Sequence, residues 1–153
     1  MNGNKGFSYP AALLMVIAVS ISLMTARKQW STIVQKEREK ELIFRGGQIV
    51  KAITSYHDKE VSGKRKFPEK FEYLLKDNRY PGVKRHLRKL YKDPMTEDGK
   101  WGIIYELNGG IKGVFSLSNK EPIKKYGFSE RYKHFNNKKK YREWKFVYEE
   151  NRR

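Results

Sequence analysis

The sequence predicts an α+β protein: a long N-terminal α-helix, its first half membrane-spanning, packed on a small head of short helices and a three-stranded antiparallel sheet. Three observations carry that prediction. An uncharged run fills residues 7–26, and helical spacing of apolar residues continues well beyond it. Two strand-like runs flank a glycine turn between residues 101 and 117. The stretch 143–149 alternates apolar and polar residues, as a third strand does.

From Phe7 to Ala26 there is no charge, and only Ser8, Ser20, Ser22 and Thr25 interrupt the apolar character. At 1.5 Å per residue this run makes a helix about 30 Å long, the thickness of a hydrocarbon core. Its hydroxyls bond back to the preceding turn or across to a neighbouring helix, so they are compatible with a span. A cleaved signal peptide is the alternative, but "LMTARK" places Met24 where a small residue belongs. The pattern also runs on, with Trp30, Ile33, Val34, Phe44, Ile49, Val50, Ile53 and Tyr56 at broadly helical spacing and Glu41–Arg45 as an i,i+4 pair. One helix from about residue 8 to about residue 58, about 75 Å long, accounts for all of it.

Two features of that helix stand out. Gly46-Gly47 in its interior costs about 1 kcal/mol per glycine relative to alanine, which points to a bend, a close approach by another backbone, or a frayed loop. "QKEREKE" (35–41) is polar around most of its circumference, either a solvated link or a surface that pairs with neighbouring copies. Lys5 precedes the apolar run while Arg27, Lys28 and Lys36 follow it, so the charge bias points weakly away from a cytoplasmic N-terminus.

In the head, Pro68 opens a short helix whose Phe71, Leu74 and Leu75 share a face. Tyr80-Pro81-Gly82 is a turn, and Val83, Leu87, Leu90 and Tyr91 fit a second short helix ending before Asp93-Pro94. "WGIIYEL" and "IKGVFSL" read as strands joined at Asn108-Gly109-Gly110, and "EWKFVYE" completes the sheet. Residues 119–142 read as a long polar loop. Trp101, Ile103, Tyr105, Val114, Phe115, Phe146 and Tyr148 supply the two faces of the sheet, one covered and one more open.

A formal charge of +17 suits a phosphate-bearing partner, but lysines spread along the chain also suit a solvated surface, and charge alone defines no site. The dense block is "NNKKKYR". A contact with single-stranded nucleic acid there would use Lys138, Lys139, Lys140 and Arg142, with Tyr141 and Trp144 as stacking rings. With no cysteine, a disulfide framework, a thiolate metal site and a Cys nucleophile are ruled out. His57, His86 and His134 have no carboxylate partner at motif spacing, and no nucleophile elbow, P-loop or HExxH occurs. The sequence predicts no catalytic residue, no metal site and no cofactor.

"KGFSYPAALLMVIAVSISL" resembles the start of a type IV pilin or type II secretion pseudopilin, where a short basic leader ends in Gly, Phe follows, and a long apolar helix begins. The resemblance implies that a prepilin peptidase cuts between Gly6 and Phe7 and methylates the new terminus. "YKDPMTEDGKWGIIYEL" and "NGGIKGVFSLS" are similar to a segment of major pseudopilin heads, matching at Asp93, Pro94, Trp101, Gly102, Tyr105, Ser116 and Leu117. The implied organisation is a leader (1–6), a transmembrane half-helix (7–26), a periplasmic half-helix (27–60) and a pilin-like head (61–153). The assembly helix would then use Pro10, Ala11, Leu13, Leu14, Val16, Ile17, Trp30, Ile33 and Val34.

Two departures shape the expectation. The family usually places Glu at the fifth residue after the cut, where this chain has Ala11. A carboxylate inside a membrane is expensive and must be paired, so its loss alters how the subunit joins a filament. Major pseudopilins also follow Ser-Leu with a calcium loop, whereas "SLSNKEPIKKYG" offers Glu121 among lysines, too few oxygens for that ion. The resemblance implies a minor or divergent structural subunit with a periplasmic head, anchored in the bacterial inner membrane. Its partners would be prepilin peptidase, other pilin-like subunits, the inner-membrane assembly platform and the lipid bilayer. The alternative is a membrane-tethered minor pilin that binds nucleic acid during DNA uptake.

Overall fold

The computed structural model describes residues 8–59, 64–107 and 109–150, apart from the side chains at 8 and 23–28. Helix α1 spans Ser8–His57 without interruption, and a single-turn helix α2 follows at Glu72–Leu75. Strands β1 (Trp101–Tyr105), β2 (Ile111–Ser116) and β3 (Lys145–Val147) form one antiparallel sheet in the order β1-β2-β3. The chain divides into two compact units, residues 1–37 and 38–153, and α1 contributes to both.

In the first unit, Pro10 sits in the opening turn of α1, where its missing N–H breaks no helical bond. Ser20 and Ser22 turn their hydroxyls back to the carbonyls of Val16 and Ala18, at 2.7 and 2.9 Å. The expected transmembrane half at 7–26 requires correction. Among the described residues no helix is long and apolar enough to cross a membrane. The single-pass inner-membrane placement is corrected with it.

The core belongs to the second unit. Leu42, Ile49, Val50, Ile53 and Tyr56 recur along one stripe of α1 and are all buried. Against them pack Leu74, Leu87, Met95, Ile111, Val114 and an aromatic cluster of Phe135, Tyr141, Trp144 and Phe146. Phe135 stacks on Trp144 at 5.1 Å between ring centres and meets Phe146 edge-on at 5.0 Å. Fully burying each such side chain contributes on the order of 1.5–3 kcal/mol. This cluster is what closes a small head that has only three strands.

Gly46 and Gly47 do not fray α1, which stays helical through both. They make a notch in which aromatic side chains, not another backbone, approach the helix. A Cβ on Gly46 would lie 2.7 Å from three carbons of the Phe146 ring, and one on Gly47 would lie 2.7 Å from the Tyr132 hydroxyl. Gly46→Ala gains about 1 kcal/mol of helix propensity but incurs an overpacking cost of about 1–3 kcal/mol. A net loss of about 1 kcal/mol is therefore expected, read as a lower urea midpoint with unchanged slope.

Other elements differ from expectation in identifiable ways. No second short helix forms over 83–91, because the N–H groups of His86 and Leu87 both donate to the Leu74 carbonyl, at 2.9 and 2.8 Å. The third strand is shorter than 143–149, since Tyr141–Glu143 is a 3-10 turn leading into it. The polar loop 119–142 also carries 3-10 structure at Glu130–Phe135, and it buries Phe135 and Tyr141. The β1–β2 hairpin closes with Glu106 N–H donating to the Gly110 carbonyl at 3.0 Å. Gly109 and Gly110 have φ of 84° and 90°, the left-handed region that favours glycine.

Candidate functional site

The first half of α1 supplies a candidate assembly surface. Leu13, Leu14, Met15, Val16, Ile17 and Val19 are between 49% and 71% exposed, and together they face every direction around the helix. Pro10 and Ala11 are exposed among them. Further along, Trp30 and Ile33 are exposed and Val34 is half-buried. A helix apolar all round is one that other apolar surface is meant to cover. Gly6 and Phe7, the expected processing site, lie outside the described residues.

The head motif is brought together as a clasp around β1 and β2. Buried Asp93 accepts the Met95 N–H at 2.8 Å and the Ser116 hydroxyl at 2.7 Å, while the Ser116 hydroxyl accepts the Ser118 N–H at 3.2 Å. Trp101, the register partner of Ser116, donates its indole N–H to the Tyr91 carbonyl at 2.8 Å. Gly102 pairs with Phe115, whose ring covers the space a side chain would fill. Burial raises the Asp93 carboxyl above its ordinary pKa, against the lowering effect of these hydrogen bonds. Pro94 is half-buried, whereas Tyr105 and Leu117 face outward.

The basic block is split by the fold. Lys139, Lys140 and Arg142 are exposed and Lys138 is half-buried, but Tyr141 and Trp144 are fully buried in the aromatic cluster. Neither ring is placed to stack on a base, so the cation-plus-aromatic arrangement expected for single strands is not assembled here.

Two buried polar clusters carry no motif spacing in the sequence. The first centres on Glu39, within the stretch that reads as a solvated link. Its carboxylate accepts the backbone N–H groups of Ile123 and Lys124, at 3.0 and 2.9 Å, and the Tyr141 hydroxyl at 2.8 Å. The second lies beneath the C-terminal end of α1. Asp77 accepts the Arg79 guanidinium on both oxygens, with its shortest contact at 2.8 Å, and accepts His86 Nε2–H at 3.1 Å. Burial alone would raise Asp77, but the bonds from Arg79 and His86 outweigh it and hold the carboxyl down to about 2. His86 Nδ1 stands 2.9 Å from Ser55 Oγ on α1. With its side chain only 1% exposed, His86 is not the isolated surface histidine its sequence neighbours suggest. His57, by contrast, stacks on Phe67, and exposed His134 donates to the Lys145 carbonyl.

Among the described residues, no group of three His, Asp or Glu side chains is placed to hold a metal ion. No family model matches the chain, and no curated protein or solved structure shows significant similarity to it.

Proposed function

We propose that the chain is a structural, pseudopilin-like subunit of a type II secretion or type IV pilus-related machine, joined to neighbouring subunits through the first half of α1. The observation that supports this reading is the uncharged, mostly apolar and exposed surface at 9–22, on a helix whose later turns are packed into the core of the second unit. Helices of this kind bury their surface by packing side by side, ridges of one in grooves of the next. The head motif supports the same reading, since it makes a rigid head rather than a reaction centre. Cleavage between Gly6 and Phe7 by a prepilin peptidase would give the helix its new start.

Because the chain contains no cysteine, a single introduced thiol reports contacts without background. Leu13→Cys and Val16→Cys, each in the full chain and oxidised under mild conditions in its native host, are expected to give disulfide-linked dimers. A cysteine at exposed Lys139 in the head is expected to give few. Intact mass of the isolated protein is expected to show loss of residues 1–6 and one added methyl group. Dimer yields no higher at positions 13 and 16 than at 139, with an uncut leader, overturn the reading.

A further inference from the structure

We propose that Ser55, His86 and Asp77 form an acyl-transfer relay, with Ser55 Oγ as the nucleophile and a small ester bearing an anionic group as the substrate class. The inference is independent of the assembly reading, since all three residues belong to the second unit and the apolar half of α1 takes no part.

The geometry orders the three groups as nucleophile, base and orienter. Ser55 Oγ lies 2.9 Å from His86 Nδ1, and His86 Nε2 lies 3.1 Å from Asp77 Oδ2. Asp77 is ionised and can only accept, so in the neutral imidazole, the form that acts as a base, Nε2 carries the proton and Nδ1 presents its lone pair. The Ser55 hydroxyl must then donate to Nδ1, which is the alignment that activates a serine. The ring is also held in place: the Tyr56 ring meets it edge-on at 5.4 Å, and Arg79 fixes Asp77 from the other side. His86 itself is shielded from solvent while Ser55 is exposed, so a substrate meets the hydroxyl first.

Ser55 and His86 open on a surface cavity of about 280 Å³ whose wall includes Gln48, Lys51, Arg88 and Tyr91. Lys51 precedes Ser55 by one helical turn and Gln48 by two, so both rise on the same face of α1. Two cations and no carboxylate line the cavity, which selects an anionic substrate. The same cations stabilise the oxyanion, a task the helical N–H groups around Ser55 are not free to perform.

In the reaction, Ser55 Oγ bonds to the ester carbonyl carbon as its proton passes to His86 Nδ1. The bond from carbon to the leaving oxygen then breaks, and that oxygen takes the proton from His86. Water, deprotonated by His86, attacks the acyl-serine and releases the carboxylic acid, and the proton returns to Ser55 Oγ. No other reactant is needed.

The test uses the full chain with 4-acetoxybenzoate and its uncharged methyl ester. Acetylation is expected on Ser55, mapped by peptide mass, together with steady release of 4-hydroxybenzoate. Ser55→Ala, at an exposed position, is expected to fold normally and to abolish both. His86→Gln is expected to slow the reaction by about 100-fold or more, the usual size of general-base assistance. Lys51→Ala should lower kcat/KM for 4-acetoxybenzoate more than for the methyl ester. No acetyl transfer, or transfer to lysines that Ser55→Ala leaves intact, overturns the proposal.

Discussion

Arg79→Ala is expected to destabilise the head by about 3–5 kcal/mol, the range for removing one partner of a buried ion pair. Three losses coincide at this residue. Asp77, with no exposed side-chain surface, would keep only the His86 ring and the backbone N–H of residue 79 as hydrogen-bond partners. Arg79 Nη2 also donates to the Tyr56 carbonyl in the last turn of α1 at 2.8 Å, and Nη1 donates to that of Lys59 just beyond the helix at 3.3 Å, so both carbonyls lose their side-chain donor. The guanidinium further lies 3.6 Å over the Tyr56 ring, a desolvated cation–π contact. Arg79→Lys should recover only part of the loss, because an ammonium cannot bond both Asp77 oxygens in a fixed plane. Urea unfolding followed by circular dichroism measures both; a cost below about 1 kcal/mol for the alanine variant would sink this account.

The same cluster sets an acid limit. Asp77 titrates at about 2 in the folded head, below its value near 4 in an unfolded chain. Its contribution is therefore fully present above pH ~4 and is lost as pH falls through ~2, by about 2.5 kcal/mol. Asp93 acts in the opposite sense: its raised folded pKa means protonation favours the folded state, so acid first relieves the cost of that buried charge. Stability between pH 5 and pH 2 should consequently fall less than Asp77 alone dictates. In Arg79→Ala the fall due to Asp77 should largely disappear.

The parts of the fold legible in the sequence are those with local period. Leu42, Ile49, Val50, Ile53 and Tyr56 lie on one helical stripe, and strands 101–105 and 111–116 flank a glycine turn, so the α+β class and the β1–β2 hairpin could be read directly. The exposed apolar residues 9–22 were equally visible, but reading that run as a membrane span overreached the helix described. The polar clusters were not legible at all. Ser55, Asp77 and His86 come from α1, the turn after α2 and an extended segment, and no spacing rule connects 55, 77 and 86. Tyr141 and Trp144 misled for a related reason: beside lysines they read as a binding surface, whereas the chain turns at each residue to put cations outside and rings inside. Glu39 lies on the same helical face as the buried stripe, one turn before Leu42, yet only its partners distinguish it from its exposed neighbours Arg38 and Lys40.

Glu39→Ala is the second large expected effect, at about 3 kcal/mol. The carboxylate is 4% exposed and serves three donors, two of them consecutive backbone N–H groups at Ile123 and Lys124. Those donors have no helix or strand to turn to, since residues 119–129 contain neither. Leaving each buried donor unsatisfied costs about 1–3 kcal/mol, partly relieved where the loop can reach water. Tyr141→Phe removes just one of the three bonds and should cost about 1 kcal/mol, because the ring stays packed on Trp144. Glu39→Gln separates charge from geometry. Its amide has one oxygen where the carboxylate has two, so it can satisfy one backbone N–H fully and must turn an N–H₂ group toward another donor. The glutamine variant should therefore lose most of what alanine loses. A double-mutant cycle of Glu39→Ala with Tyr141→Phe should show a coupling of about 1 kcal/mol, the share carried by the hydroxyl. Additive losses would mean that Tyr141 is held by its ring alone and that Glu39 acts only on the backbone of the loop. Hydrogen exchange at Ile123 and Lys124 distinguishes the outcomes directly, because both amides should lose protection in Glu39→Ala and retain it in Tyr141→Phe.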